Sequence, residues 1–300
     1  MTATATISVD VDPVDIHLAG YGLVGGERDG SVYASALPRL RSSFAELRIR
    51  ATFFVVARDA AEHAPELAAL VAEGHEVASH SLTHPAPFLR LPEEQREAEI
   101  RESKSQLESA CGLPVVGFRA PNWDIGPAAV EPLVQAGYLY DASAFPSPFL
   151  TAARATLLLR GKRQAVSRLR TIPSTFTRAP HVWRARGAEI REFPISVTPI
   201  VRFPVYHTMR YALRESHFLR LLDGFARRGE SFFYPLHAID ALGLAEDGLD
   251  ERLRKHPGMS RPLEEKLELL RRTFHEIEQR FRIVTYRDRL APPRRRVAVG

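Results

Sequence analysis

Four short segments place side chains that can hold a metal ion or move a proton. Asp10-Val11-Asp12 ends an apolar run, and His80-Ser81-Leu82-Thr83-His84 sets two imidazoles four residues apart. Phe118-Arg119-Ala120-Pro121-Asn122-Trp123 puts a guanidinium near an indole, and Tyr234-Pro235-Leu236-His237 ends another apolar run in one histidine. Side chains two apart on an extended backbone face the same way, so Asp10 and Asp12 can enter one pocket; a surface turn at Asp12-Pro13 is the plainer alternative. On a helical turn, residues four apart share a face, so His80 and His84 can bind one ion. Two imidazoles and a carboxylate leave positions open on a zinc-like ion, as a catalytic metal requires. Arginine fixes a carboxylate bidentately, and an indole such as Trp123 beside Asn122 can wall a sugar-sized pocket. A histidine at a strand end, like His237, is more often structural, yet a catalytic acid has to sit in such a place.

These residues need a scaffold that delivers them to one mouth. Short β-like runs alternate with helical patterns along the chain, the arrangement of parallel strands joined by crossover helices. Strands are expected at Ile7–Val11, Ala51–Val56, His75–Ala78, Val115–Arg119, Tyr138–Ser143, Glu192–Val197, Ser231–His237 and around Arg282–Tyr286. Helical spacing marks Tyr33–Leu47, Pro65–Glu73, Leu91–Cys111, Pro127–Ala136, Glu215–Arg228 and Arg261–Gln279. Roughly seven strand and helix pairs predict one distorted α/β barrel, whose active site belongs at the C-terminal ends of its strands. All four chemical segments fall there. The expected organisation is a barrel over residues 1–290, an insertion at about 145–190 rich in basic and apolar residues, and a flexible basic tail over 291–300.

Composition sets the outer limits. The chain has 300 residues, 45% of them hydrophobic, which suffices for a large core, and its net charge of +5 is a modest excess. No basic recognition motif points to nucleic acid. A single cysteine, Cys111, excludes an intramolecular disulfide framework. Neither a signal peptide nor a stretch of roughly 18 apolar residues is seen, so the expected location is cytoplasmic.

In order, SVDVD, ATFFVV, GHEVASHSLTH, GFRAPNW, GYLYDAS, FPIS and FYPLH resemble the polysaccharide deacetylase family, carbohydrate esterase family 4, in a form with a D-x-D first motif. The resemblance covers most of the chain. It implies a (β/α)7 barrel and a metal-dependent hydrolase that removes an acetyl or formyl group from an amino sugar. It further implies Asp10 as general base, Asp12, His80 and His84 as ligands of a divalent metal, most readily zinc, Arg119 as the residue holding the base, and His237 as general acid. Asn122 and Trp123 are the expected substrate-binding residues. The family's commoner form has adjacent aspartates; here Val11 separates them.

The expected substrate is a small or lipid-linked glycan. Segments Phe149–Arg170 and Pro199–Tyr206 mix basic and apolar side chains, as a surface resting on the anionic inner face of a membrane would. Two other readings compete: a hydrolase of a non-sugar amide or C–N bond on the same fold, and a catalytically silent sugar- or lipid-binding barrel. Among the remaining histidines His17 stands close enough behind the first strand to reach a substrate, whereas the segment His256-Pro257-Gly258-Met259 reads only as an ordered loop.

Overall fold

The computed structural model describes residues 3–23, 30–148 and 177–290. The basic tail and the segment Phe149–Arg170 lie outside the described residues. Among the described residues nine strands form one sheet: β1 (Thr4–Val11), β2 (Thr52–Val55), β3 (Glu76–Ser79), β4 (Gly117–Phe118), β5 (Tyr140–Asp141), β6 (His181–Ala185), β7 (Ala188–Glu192), β8 (Phe232–His237) and β9 (Arg282–Ile283). Their order is β6-β7-β5-β4-β3-β2-β1-β8, with β9 paired to the start of β1. Neighbours are parallel except in the β6–β7 hairpin. Seven parallel strands, β1 to β5, β7 and β8, thus make the (β/α)7 barrel that the alternating pattern predicts. The wall closes unevenly. Beyond β7 no further strand among the described residues pairs with β8; Ser196 reaches it with its Oγ, which accepts from the Phe233 N–H at 2.8 Å.

The two-residue alternation of a strand sorts the core into two layers. Phe53, Val77 and Phe232 belong to the large core, which also contains Phe44, Leu67, Ile100, Leu133, Phe218 and Phe274 from the surrounding helices. These helices include α2 (Leu37–Glu46), α3 (Ala64–Ala72), α4 (Glu93–Cys111), α5 (Pro127–Gln135), α6 (Glu215–Arg227) and α7 (Leu263–Glu278). Their neighbours in sequence, Phe54, Ala78 and Phe233, point into the barrel with Tyr140, Phe193 and Tyr286. Space inside is tight: a Cβ on Gly117 would come within 2.0 Å of the Tyr140 ring, so this strand position has room only for hydrogen.

On β1 the same alternation leaves Thr6, Ser8 and Asp10 on the opposite face to Ala5, Ile7 and Val9, and all six are buried. A barrel of this kind ordinarily fills its interior with branched apolar residues. Here β1 brings a polar ladder inward, and that ladder ends at the C-terminal mouth of the barrel. Most expected elements are found within a few residues. One differs: the strand expected at Glu192–Val197 ends at Glu192, because β7 starts earlier and pairs with both β5 and β6, leaving Val197 a single bridge to Pro204.

Candidate metal centre and proton-transfer site

β1 ends at Val11, and Pro13 stands before α1 (Val14–Gly20), so Asp12 sits in the turn at the strand's C-terminal end. From β3 the chain runs directly into His80. The segment His80–His84 is a loop, not the helical turn that the four-residue spacing suggests: Ser81 and His84 adopt left-handed φ values of 67° and 58°. Glu99 on α4 holds the loop by accepting from the N–H groups of Leu82 and Thr83, both at 2.9 Å. The two rings end 4.9 Å apart.

Asp12, His80 and His84 each offer a ligand atom, all within 4.8 Å of one another. His80 Nε2 lies 3.5 Å and His84 Nε2 4.0 Å from Asp12 Oδ1. That oxygen is buried and has no hydrogen-bond donor, the condition of a carboxylate whose partner is a cation. Nδ1 of His80 lies 2.7 Å from the main-chain oxygen of Arg119. A carbonyl can only accept, so the proton is on Nδ1 and the lone pair on Nε2 faces Asp12, the tautomer a metal ligand needs. Burial would raise the Asp12 pKa, but His84, His80, His237 and His17 together pull it below the usual carboxylate range. Burial pushes His84 down to about 4, leaving it neutral and able to coordinate near pH 7.

Asp10 occupies the inward position two residues earlier and is ion-paired with Arg119. Arg119 is buried with every direction engaged. Its Nη2 donates to Ser8 Oγ at 3.1 Å and Tyr286 Oη at 3.2 Å, its Nε donates to the Ala142 carbonyl at 3.0 Å, and its guanidinium lies 4.0 Å from the centre of the Phe54 ring. Behind it, Asp141 and Glu192 form a buried acid pair. Burial first, then the neighbouring Asp141 charge, raises Glu192 well above its ordinary value, and burial raises Asp141 too, so the pair holds a proton between its carboxyls. Asp141 accepts from Ser143 Oγ at 2.5 Å, and Ser143 Oγ accepts from the Ala120 N–H at 2.7 Å, which fixes the backbone beside Arg119.

His237 is the last residue of β8. Its Nε2 lies 4.0 Å from both Asp10 Oδ2 and Asp12 Oδ2. The ring's other side accepts from the Asp240 main-chain N–H, while the Asp240 carboxylate accepts from the His237 N–H at 3.0 Å. An imidazole that accepts on Nδ1 carries its neutral-state proton on Nε2, which is the atom facing the acids. Asn122 and Trp123 both have φ near 53°, an uncommon backbone state for such residues. Trp123 stands edge-on to His237 with ring centres 6.0 Å apart.

One cavity of about 470 Å³ is lined by Asp10, Asp12, His80, His84, Asn122, Trp123 and His237. Arg119 acts from behind Asp10 and does not line it. The opposite wall, formed by α1 with Tyr21, Arg58 and His256, was not assigned from sequence, His17 apart. His17 has a readable signal, about one helical turn after Asp12. His256 has none, since it meets Tyr21 across 235 residues of chain. Burial pushes His17 down to about 3 and His256 to about 4.

A distorted (β/α)7 barrel with a two-histidine, one-aspartate cluster at its C-terminal mouth is the class that fold and site define. Residues 29–140 match the family model described as polysaccharide deacetylase. The chain is 28% identical over 145 residues to the peptidoglycan deacetylase of Helicobacter pylori (strain ATCC 700392 / 26695), covering 47% of this chain and 49% of that protein. It is 40% identical over 67 residues to the chitooligosaccharide deacetylase of Rhizobium leguminosarum bv. trifolii, covering 22% and 31%. The matches therefore span about half or less of these relatives' length. Among solved structures, a Mycobacterium smegmatis protein described as a polysaccharide deacetylase superposes with a TM-score of 0.62 at 17% identity, covering 97% of this chain and 90% of that one. An allantoinase superposes at 0.60 and 17%, covering 95% and 88%. At such identities these two likenesses establish the fold.

Proposed function

We propose that the protein is a metal-dependent N-deacylase that removes an acetyl or formyl group from an amino sugar. The observation that carries this reading is the convergence of two sets of groups on one cavity: the Asp12, His80 and His84 cluster, and the pair formed by Arg119-held Asp10 and His237. The names of the curated relatives support a sugar amide as substrate. Asp12, His80 and His84 would hold the ion, and zinc suits two imidazoles and one carboxylate at an open site. Bound there, it supplies a Lewis acid for the amide carbonyl and for water. Asp10, kept ionised by Arg119, takes the proton of the attacking water. His237 would pass on, at Nε2, the proton that Asp10 takes from the water, so that the departing nitrogen leaves as an amine and the ring ends as the neutral imidazole. Asn122 and Trp123 wall the sugar. The barrel is read as one domain over residues 1–290, with an insertion at about 145–190.

A lipid-linked substrate, met at the inner face of a membrane, is a second reading with its own support. Residues Thr198–Phe203 form a loop closed by the Val197–Pro204 bridge and by the Thr198 N–H donating to the Phe203 carbonyl at 2.9 Å. Its tip exposes Ile200 (92%) and Val201 (62%). Tyr206, three residues past the loop, contacts Trp123, so the tip rises beside the cavity. Among the described residues no helix is long and apolar enough to cross a membrane.

Mass spectrometry of zinc-loaded protein incubated with N-acetyl and N-formyl amino sugars, free and lipid-linked, tests the first reading, with allantoin in the same panel. Cleavage of allantoin and of no sugar amide would replace it by the non-sugar C–N hydrolase reading. Co-flotation with anionic vesicles, lost in the Ile200→Glu/Val201→Glu variant, tests the second; a protein that does not float sinks it.

A further inference from the structure

Beside the end of β8 lies a group of buried polar side chains that the chemistry above does not use. Asp240 and Lys266 are 2% and 0% exposed, and neither lines the cavity. Both act on the turn Ala238–Ala241 that follows His237. Asp240 closes its start twice over: its main-chain N–H donates to the His237 ring, and its Oδ2 accepts from the His237 N–H at 3.0 Å. Lys266, on α7, closes its end by donating to the carbonyls of Ile239 at 3.0 Å and Leu242 at 2.5 Å. Its third contact is Met259 Sδ at 3.1 Å. Burying an ammonium with carbonyls and a thioether as its partners is costly. Apolar packing would hold the turn without that penalty; what the polar groups add is direction.

The second oxygen of Asp240 is held from outside the turn, by Tyr211 Oη donating to Oδ1 at 3.0 Å. Burial would raise the Asp240 pKa, but His207, His237 and Lys266 hold it below the usual carboxylate range, so it accepts from both donors. Tyr211 does not line the cavity and is itself fixed. Its ring stands edge-on to His207 at 5.1 Å, and Arg261 donates to its carbonyl at 3.3 Å. A Cβ on Gly258, where φ is 82°, would come within 2.4 Å of the ring. Hydrogen bonds therefore lead from Tyr211 to Asp240, and from Asp240 to both the backbone and the ring of His237.

Two roles for this chain of bonds differ in what they predict. A structural tie holds the turn to the barrel, and its loss lowers stability alone. A positioning tie keeps the Asp240 N–H on Nδ1 of His237, so that the neutral ring carries its proton on Nε2, toward Asp10. The geometry favours the second, because the carboxylate that Tyr211 holds and the N–H that orients the ring belong to one residue. We infer that Tyr211 is a positioning residue for the reaction, which through Asp240 keeps the His237 imidazole in the tautomer and direction that bring a proton to the departing nitrogen. This rests on the general-acid role given to His237 above and adds to it two residues outside the cavity.

The test compares zinc-loaded wild type, Tyr211→Phe and Asp240→Asn on N,N'-diacetylchitobiose and on p-nitrophenyl acetate. The amide needs a proton on its departing nitrogen, whereas p-nitrophenolate leaves without one. Both variants should lower kcat on the amide about tenfold, the scale of one hydrogen bond to a charged group, with KM and ester cleavage within about twofold of wild type. Tyr138→Phe removes a buried hydroxyl that donates to the Ile100 carbonyl at 3.1 Å; it should lose stability and keep both activities. Equal losses on amide and ester in Tyr211→Phe, or no loss on either, would overturn the positioning role. The tautomer can be read without turnover. In long-range 1H–15N NMR spectra at about pH 8, the His237 ring, assigned from its absence in His237→Gln, should show the Nε2–H form in wild type and a mixture in Tyr211→Phe. That change in a protein that hydrolyses neither substrate upholds the positioning role and sinks the deacylase. An unchanged tautomer in a Tyr211→Phe variant that releases acetate at the wild-type rate overturns the positioning role and leaves the deacylase standing.

Discussion

Nδ1 of His80 donates to the main-chain carbonyl of Arg119 across 2.7 Å, while the guanidinium of the same arginine holds Asp10. One residue therefore sets both the tautomer of a metal ligand and the position of the proposed base. Its backbone does the first and its side chain the second, so a substitution separates them. Lysine cannot reproduce the four engagements of Arg119 with Asp10, Ser8, Tyr286 and Ala142. Arg119→Lys is expected to retain zinc, because the carbonyl remains, and to lose about 10- to 100-fold in kcat. Arg119→Met also leaves Asp10 buried without its cation and should cost about 3–5 kcal/mol of stability. Metal analysis, kinetics and denaturant unfolding check the three parts; loss of zinc from Arg119→Lys would contradict the division of labour.

His237 contributes a proton and no metal bond in this account. His237→Gln should keep zinc at the wild-type level and lower kcat about 10²- to 10⁴-fold, the usual worth of a general acid. A zinc content that falls together with kcat would instead make His237 a ligand.

Two buried groups set opposite limits on stability. Burial pushes His207 from 6.5 down to about 4, so between these values the unfolded chain binds a proton that the folded one refuses. Stability from this group is complete above pH 6.5 and falls as pH drops toward 4. Glu192 behaves inversely. Its pKa is raised well above 4.5 by burial and by Asp141, so the folded state retains a proton, and stability falls as pH rises above 4.5 toward the raised value. Glu192→Gln keeps the shape without the ionisation. Its melting temperature should exceed that of wild type increasingly as pH is raised from 5 to 9; a gap that does not widen with pH would contradict the raised pKa of Glu192.

The chemical segments were legible because each is local: Asp10 and Asp12 share one strand end, and His80 and His84 one loop. The register of β1 against β8 pairs Asp10 with His237, so the convergence on one mouth followed from the barrel. The means of bringing the histidines together was not legible, since a four-residue spacing fits a helical turn as well as a loop with two left-handed residues. The opposite wall of the cavity was hidden for a different reason. Tyr21 and His256 meet only through the packing of α1 against the loop after β8, and neither sits in a pattern with a chemical signature. The Asp141–Glu192 pair was hidden likewise, because its acids lie on strands whose adjacency depends on where β7 begins.

Acetate release from N,N'-diacetylchitobiose tests the central claim most directly, measured on chelator-stripped protein, on protein reloaded with one equivalent of zinc, and on His80→Ala treated identically. The account predicts release only from the reloaded wild type, with one free amine appearing per acetate. Release from the stripped protein at the reloaded rate, or from His80→Ala at the wild-type rate, would contradict a catalytic metal at Asp12, His80 and His84.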